Sequence, residues 1–203
     1  MAACAYRNAQ ALRSRGFDTP EALACVETRS GLMLGHCYFV SDADSRPPVS
    51  VLMADGRPAD ALLARSLAAF ALSLHRRGIL HNDFNSGNVL FGRAADGSYR
   101  FSLIDINRAD IYPDRVCPSA TLRAEELTRL TPDLRLYAAV ARHYADLAGP
   151  DWPLSAREML AVKRRHDTAR RRRKALFATL RRWQARLAEA LSPDGRRKAM
   201  MRG

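Results

Sequence analysis

Apolar positions recur with a helical period at both ends of the chain and cluster in short runs between them. Tyr6–Arg15 is built from helix-forming residues and stops at Gly16. Phe17-Asp18-Thr19-Pro20 then reads as a turn. Ala22–Thr28 and Leu32–Val40 read as two strands joined by a tight turn at Arg29-Ser30-Gly31. Ser41–Pro48 is polar and proline-bearing, which predicts a loop, and Val49–Met53 predicts a further short strand. After Pro58-Ala59-Asp60, the side chains of Leu63, Leu67, Phe70 and Leu74 share one face of a helix that Gly78 ends. Val89–Phe91 and Tyr99–Ile106 read as strands, with Asp96-Gly97 as their hairpin turn. Beyond residue 121 the pattern is helical, with breaks near Pro132 and Gly149-Pro150. Ala156–Leu191 forms one long helix or two, closed by Ser192-Pro193.

The chain has 203 residues, 47% of them apolar and 27% charged, enough to bury a core and too apolar to be disordered. The longest apolar-leaning run, Ala61–Leu74, is interrupted by Arg65, so it predicts a core helix and not a membrane span. The first residues, Met1–Arg7, show no secretory pattern. Cys4, Cys25, Cys37 and Cys117 are scattered without a C-x-x-C pair, which points to reduced thiols in the cytoplasm rather than zinc or disulfides. Charge divides the chain sharply. Residues 1–156 carry 17 basic and 17 acidic side chains, whereas residues 157–203 carry 16 basic and 4 acidic ones. Arginine outnumbers lysine 30 to 3.

The chemistry concentrates after the middle helix. His81-Asn82-Asp83-Phe84-Asn85-Ser86-Gly87-Asn88 fits H-x-D-x-x-x-x-N, followed by an apolar strand. A hairpin leads to a second apolar strand, Phe101-Ser102-Leu103-Ile104-Asp105, that ends in a carboxylate. This is the order of a kinase catalytic loop and its metal-binding strand. Phosphoryl transfer needs a carboxylate to orient the attacking hydroxyl and take its proton, a role that suits Asp83. It also needs hard oxygen ligands for magnesium, which suits the amide of Asn88 and the carboxylate of Asp105. The hairpin should bring Asn88 and Asp105 together at the ends of paired strands. A lone His-x-Asp in a loop more often caps a turn. Here helix, glycine stop, motif, strand, hairpin and terminal Asp occur in order, and that conjunction supports the catalytic reading.

The loop, together with Ile104-Asp105-Ile106-Asn107-Arg108 and the Tyr6–Glu21 segment, resembles the lipopolysaccharide core kinases, the Kdo kinase, heptose kinase and InaA-like group. The similarity runs from about Tyr6 to Tyr112. It implies an α+β, protein-kinase-like fold with an incomplete N-lobe, holding the C-helix and last strands only, and a mostly helical C-lobe. The implied parts are residues 1–57 as partial N-lobe and hinge, 58–156 as catalytic core and 157–203 as a basic helical region. The implied activity is ATP- and Mg2+-dependent phosphorylation of a sugar hydroxyl on a lipid-linked oligosaccharide acceptor, at the cytoplasmic face of the inner membrane. Asp83, His81 and Asn85 would form the catalytic group, with Asn88 and Asp105 binding cofactor and metal. Asn85 stands where protein Ser/Thr kinases carry lysine, which favours a small-molecule acceptor. Asn107 stands where those enzymes have glycine in Asp-Phe-Gly.

Two parts of a kinase are missing from the pattern. No lysine precedes Lys163, and no glycine-rich loop precedes Tyr6. The first helix offers Gln10 but no glutamate to partner such a lysine. The favoured reading is a chain lacking its first strands, which should leave a sheet edge open and lower solubility. A kinase-like binding module without turnover, a kinase for another small hydroxylated substrate, and an arginine in place of the lysine are the alternatives.

The terminal helix sets Leu176, Leu180, Trp183, Leu187 and Leu191 on one face, with Arg170–Lys174, Arg181, Arg182 and Arg186 on the other. The plainer expectation packs the apolar row on the core. The arginine density adds an anionic partner, with a membrane surface favoured over nucleic acid.

Overall fold

The computed structural model describes residues 2–30, 33–53, 61–150 and 152–191. It comprises two units, one ending at Lys163 and the other starting at Arg164.

In the first unit, α1 (Ala2–Ser14) buries Ala2, Ala5, Ala9 and Leu12, a stripe that extends the helix four residues ahead of the predicted start. Gly16 follows with φ +82°, a left-handed stop that costs glycine little. The hairpin of β1 (Ala22–Ser30) and β2 (Met33–Ser41) is antiparallel and packs against α1. Gly31 and Leu32, on which the predicted turn closes, lie outside the described residues. The loop after β2 is fastened by Arg46, which pairs with Asp44 at 2.7 Å and Asp18 at 3.0 Å. Val49–Met53 is a 3-10 turn and not the expected strand. Pro48 forms a bridge to Leu90, and its carbonyl then accepts from the Val51 N–H, so the chain curls away from the sheet. An apolar run of five residues does not distinguish these outcomes. Pro58-Ala59-Asp60, expected to precede the next helix, fall outside the described residues.

α2 (Ala61–Arg76) buries Leu63, Leu67 and Leu74 as its spacing predicts and packs on the later helix Leu134–Ala148. Gly78 adopts φ +70°, and a Cβ there would stand 2.7 Å from the Pro113 carbonyl oxygen. Only glycine fits this stop. β3 (Ile79–Leu80) is too short to show in the sequence pattern. β4 (Val89–Arg93) and β5 (Tyr99–Leu103) form the predicted hairpin, with Gly97 at φ +80° in its turn. β5 ends three residues before the expected Ile106, because Asp105 takes a left-handed conformation (φ 55°, ψ 45°) and opens a 3-10 turn, Ile106–Arg108. β6 (Asp110–Ile111) then pairs with β3.

α3 (Ala120–Leu127) and α4 (Leu134–Ala148) are separated at Pro132, and Asp133 caps α4 by accepting from the Arg135 N–H at 2.8 Å. Gly149 ends α4. The core fills the space between these layers with Leu67, Phe84, Leu103, Leu127, Tyr137 and Tyr144, all essentially inaccessible. α5 (Ala156–Leu191) is one continuous helix, and Ser192-Pro193 lies beyond the described residues. Its first turns belong to the first unit, where Met159 is buried and the Lys163 ammonium donates to the Thr128 carbonyl at 2.8 Å. In the second unit, Leu176, Leu180 and Trp183 are 48–62% exposed, contrary to the expectation of a buried stripe, and the side chains of Leu187 and Leu191, which would continue it, lie outside the described residues.

Candidate active site

The loop from His81 to Asn88 is built from backbone turns that its own side chains hold. Asn82 has φ +62°, which reverses the chain between His81 and Asp83. Asparagine tolerates this region better than most residues. Phe84, fully buried, anchors the next position in the core. The Asn85 amide oxygen accepts from the Gly87 N–H at 2.9 Å, and its Nδ2 donates to the Asp83 carbonyl at 3.1 Å. Both ends of Asn85 therefore shape the loop. His81 is 1% exposed. Its Nδ1 accepts from the Asp83 N–H at 3.3 Å, which leaves Nε2 to donate to the Ile104 carbonyl at 2.9 Å. His81 thus joins the loop to the end of β5 and has no ring nitrogen left for a substrate.

Asp83 keeps its carboxylate partly accessible, 29% by side chain, with the Arg129 guanidinium 3.9 Å away. Asn88 donates through Nδ2 to the Asp83 carbonyl at 3.0 Å and to its carboxylate at 3.4 Å. That orientation turns Asn88 Oδ1 away from Asp83. Across the hairpin, Val89 pairs with Leu103, and the Ile104 N–H donates to the Asn88 carbonyl at 3.0 Å. Asp105 is the next residue, exposed and left-handed, with no capping bond from its side chain. Asp83, Asn88 and Asp105 therefore gather at one end of the β4–β5 hairpin. One amide oxygen and one exposed carboxylate are hard donors that fit magnesium.

Beside Asp105 opens a cavity of about 460 Å3, walled by Ala2 and Ala5 of α1, Cys37 and Phe39 of β2, and Asp105 and Asn107. Among the described residues, none that lines it is cationic. Arg7 is exposed and donates to the Ala3 carbonyl of its own helix at 3.3 Å, and two further arginines bond to backbone carbonyls. Arg13 donates to the Thr19 carbonyl, and Arg15 donates to the carbonyls of Arg77 and Tyr112.

The sequence model of the lipopolysaccharide kinase (Kdo/WaaP) family matches residues 2–148. The chain belongs to this family. No curated protein matches the sequence. Among solved structures, this family member is similar to WaaP in complex with acyl carrier protein, at 22% identity, with a TM-score of 0.59, over 81% of this chain and 74% of that one. Weaker likenesses include the Rio2 kinase–ADP/Mg2+–phosphoaspartate complex from Chaetomium thermophilum (19% identity, TM-score 0.42, 83% and 54% coverage). The bifunctional kinase-methyltransferase WbdD is another (21% identity, TM-score 0.42, 80% and 36% coverage). This member of the lipopolysaccharide kinase family thus shares the α+β fold of WaaP.

Two supports of the family site escape sequence reasoning. The first is Asn8, buried on α1, whose Nδ2 donates to the carbonyls of Ile106 at 2.8 Å and Ala109 at 3.0 Å. It clamps the turn that follows Asp105. Its signal is an amide at the spacing of the buried stripe Ala2, Ala5, Ala9 and Leu12. Gln10, the uncharged side chain that stands where a partner glutamate would be expected on α1, is exposed. The second is Glu126 on α3, 5% exposed. Its Oε1 accepts from the Asn82 N–H at 2.9 Å and its Oε2 meets His75 Nε2 at 2.6 Å. His75 Nδ1 in turn meets the Tyr144 hydroxyl at 2.7 Å, and the Arg123 guanidinium donates to that oxygen at 3.4 Å. Burial holds the Tyr144 phenol well above its ordinary ionisation range, so it stays an O–H donor. The chain of bonds closes when the Tyr144 hydroxyl donates to His75 Nδ1 and His75 Nε2 donates to Glu126 Oε2. No short-range motif joins residues 44 and 51 positions apart, as these bonds do.

Proposed function

We propose that the protein phosphorylates a sugar hydroxyl of the lipopolysaccharide inner core, with ATP as donor. Asp83 holds the acceptor hydroxyl and takes its proton as the oxygen bonds to the γ-phosphorus. The bond from that phosphorus to the β–γ bridging oxygen breaks, and ADP leaves. Asn88 Oδ1 and the Asp105 carboxylate would hold magnesium, which when bound neutralises phosphate charge. Asn88 Nδ2 fixes the Asp83 carboxylate, and Arg129 balances its charge. His81 and Asn85 act as positioning residues, since each is spent on the loop. The lipid-linked acceptor puts the site of action at the cytoplasmic face of the inner membrane.

The observation that carries this reading is the joint placement of Asp83, Asn88 and Asp105 by one hairpin and one hydrogen-bonded loop. The test is transfer of labelled phosphate from ATP to dephosphorylated core lipopolysaccharide. Asp83→Ala should cut kcat by roughly 10²–10⁴-fold while the circular dichroism spectrum is unchanged. Transfer at the wild-type rate by that variant would remove Asp83 from its role.

A second reading, a binding module without turnover, draws on the cavity beside Asp105, whose lining among the described residues holds a carboxylate and no cation. Nucleotide binding by calorimetry, with no transfer under any acceptor and metal combination, would favour it. Transfer to a small hydroxylated compound other than the core sugar would redirect the acceptor assignment.

A further inference from the structure

From Arg164 onward α5 forms a unit of its own, and its surface has two unlike sides. Leu176, Leu180 and Trp183 fall within an arc of about 60°, given roughly 100° per residue, and Phe177 stands to one side of them. They are 58%, 48% and 62% exposed, and Phe177 is 61% exposed. A contiguous row of large apolar side chains in water marks a surface that meets a partner. Around the row, residues 168–188 contain eight Lys and Arg and no Asp or Glu. Arg170, Arg171, Lys174, Arg181 and Arg182 project from the opposite side, while Arg172 and Arg173 flank the start of the row.

Charge selects the occupant. A second copy of the helix would bring two all-positive segments together with no carboxylate between them. A nucleic acid would engage the arginines and leave the apolar row in water. An anionic bilayer satisfies both sides at once, because its phosphates lie just outside an apolar layer and long arginine stems reach them. Among the described residues no helix is long and apolar enough to cross a membrane, so this segment would lie along the surface. We infer that the exposed part of α5 is an interfacial helix that docks the protein on anionic lipid, with Leu176, Leu180 and Trp183 at the acyl boundary and the arginines at the phosphates. This goes beyond the catalytic reading and does not depend on it.

The test uses the full chain and vesicles of phosphatidylcholine, with and without phosphatidylglycerol, and reads binding rather than turnover. Flotation should occur with the anionic vesicles, fall at least tenfold with the neutral ones, and weaken in high salt. The protein has two tryptophans, and Trp152 is 8% exposed, so a blue shift and quenching by brominated acyl chains report on Trp183. Leu180→Gln with Trp183→Gln should lower anionic-vesicle binding at least tenfold. Replacing Arg170–Lys174 with glutamine should do the same, and both variants should keep the wild-type circular dichroism spectrum. Equal binding to neutral vesicles would overturn the inference. So would wild-type binding by the Leu180/Trp183 variant, or an unquenched Trp183, since charge alone would then hold the helix and a nucleic acid or acidic protein would be its partner.

Discussion

Replacing Glu126 tests whether the catalytic loop is held from below. In the folded protein this carboxylate is 5% exposed and serves two donors, the Asn82 N–H and His75 Nε2. Glu126→Ala leaves both donors buried without an acceptor. Each buried donor left without an acceptor costs about 1–3 kcal/mol in desolvation, so the two together cost about 2–6 kcal/mol. For a chain of this size each kcal/mol lowers the melting temperature by about 2–4 °C, so the variant should melt roughly 4–24 °C lower. Glu126→Gln keeps an oxygen that can accept from one donor, and should lose less than half as much. The assay is urea unfolding followed by circular dichroism, with the m-value compared to confirm that the folded state is as compact as before. An alanine variant within about 1 kcal/mol of wild type would refute the accounting. Glutamine as damaging as alanine would show that the negative charge matters, and not the pair of acceptors.

Asn8→Ala removes two donors from buried carbonyls after Asp105, and should cost about 1–3 kcal/mol and weaken magnesium-dependent nucleotide binding, read by calorimetry. Gly78→Ala forces a Cβ against the Pro113 carbonyl at a left-handed position, and should destabilise by about 2 kcal/mol or more in the same unfolding assay. Asp44 is lowered from 3.8 to about 2, first by its hydrogen bond from Arg46. Because the folded value is depressed, its stabilisation is complete above pH 3.8 and is lost as pH falls through about 2. Asp44→Asn should therefore flatten that acid limb by about 1 kcal/mol, allowing for solvent screening, in unfolding measured across that range. An unchanged acid limb would mean that the Arg46 contact adds nothing to stability.

The parts of the site that share a short stretch of chain were legible in the sequence. The motif from His81 to Asn88, the Asp96-Gly97 turn and the strand leading to Asp105 follow one another, so spacing alone carries them. Elements set by contacts between distant segments were not legible. Val49–Met53 has strand composition but curls because Pro48 is already bridged to Leu90. β3 and β6 are two residues each and exist only by pairing with one another. β5 stops early because a single left-handed residue, Asp105, interrupts an apolar run whose side chains give no sign of it. Asn8 and Glu126 look like ordinary polar positions on helices until the fold brings backbone donors and acceptors to them.

Asn82 shows what such long-range fastening achieves. Its N–H is held by Glu126, its carbonyl by Arg129 at 2.7 Å, and its side chain by Arg108 and Asp110. On the proposed function, the neighbouring Asp83 is thus aimed while the chain folds, before any acceptor arrives. Little rearrangement is left for the encounter itself, so the barrier there need not include the entropy of ordering the turn.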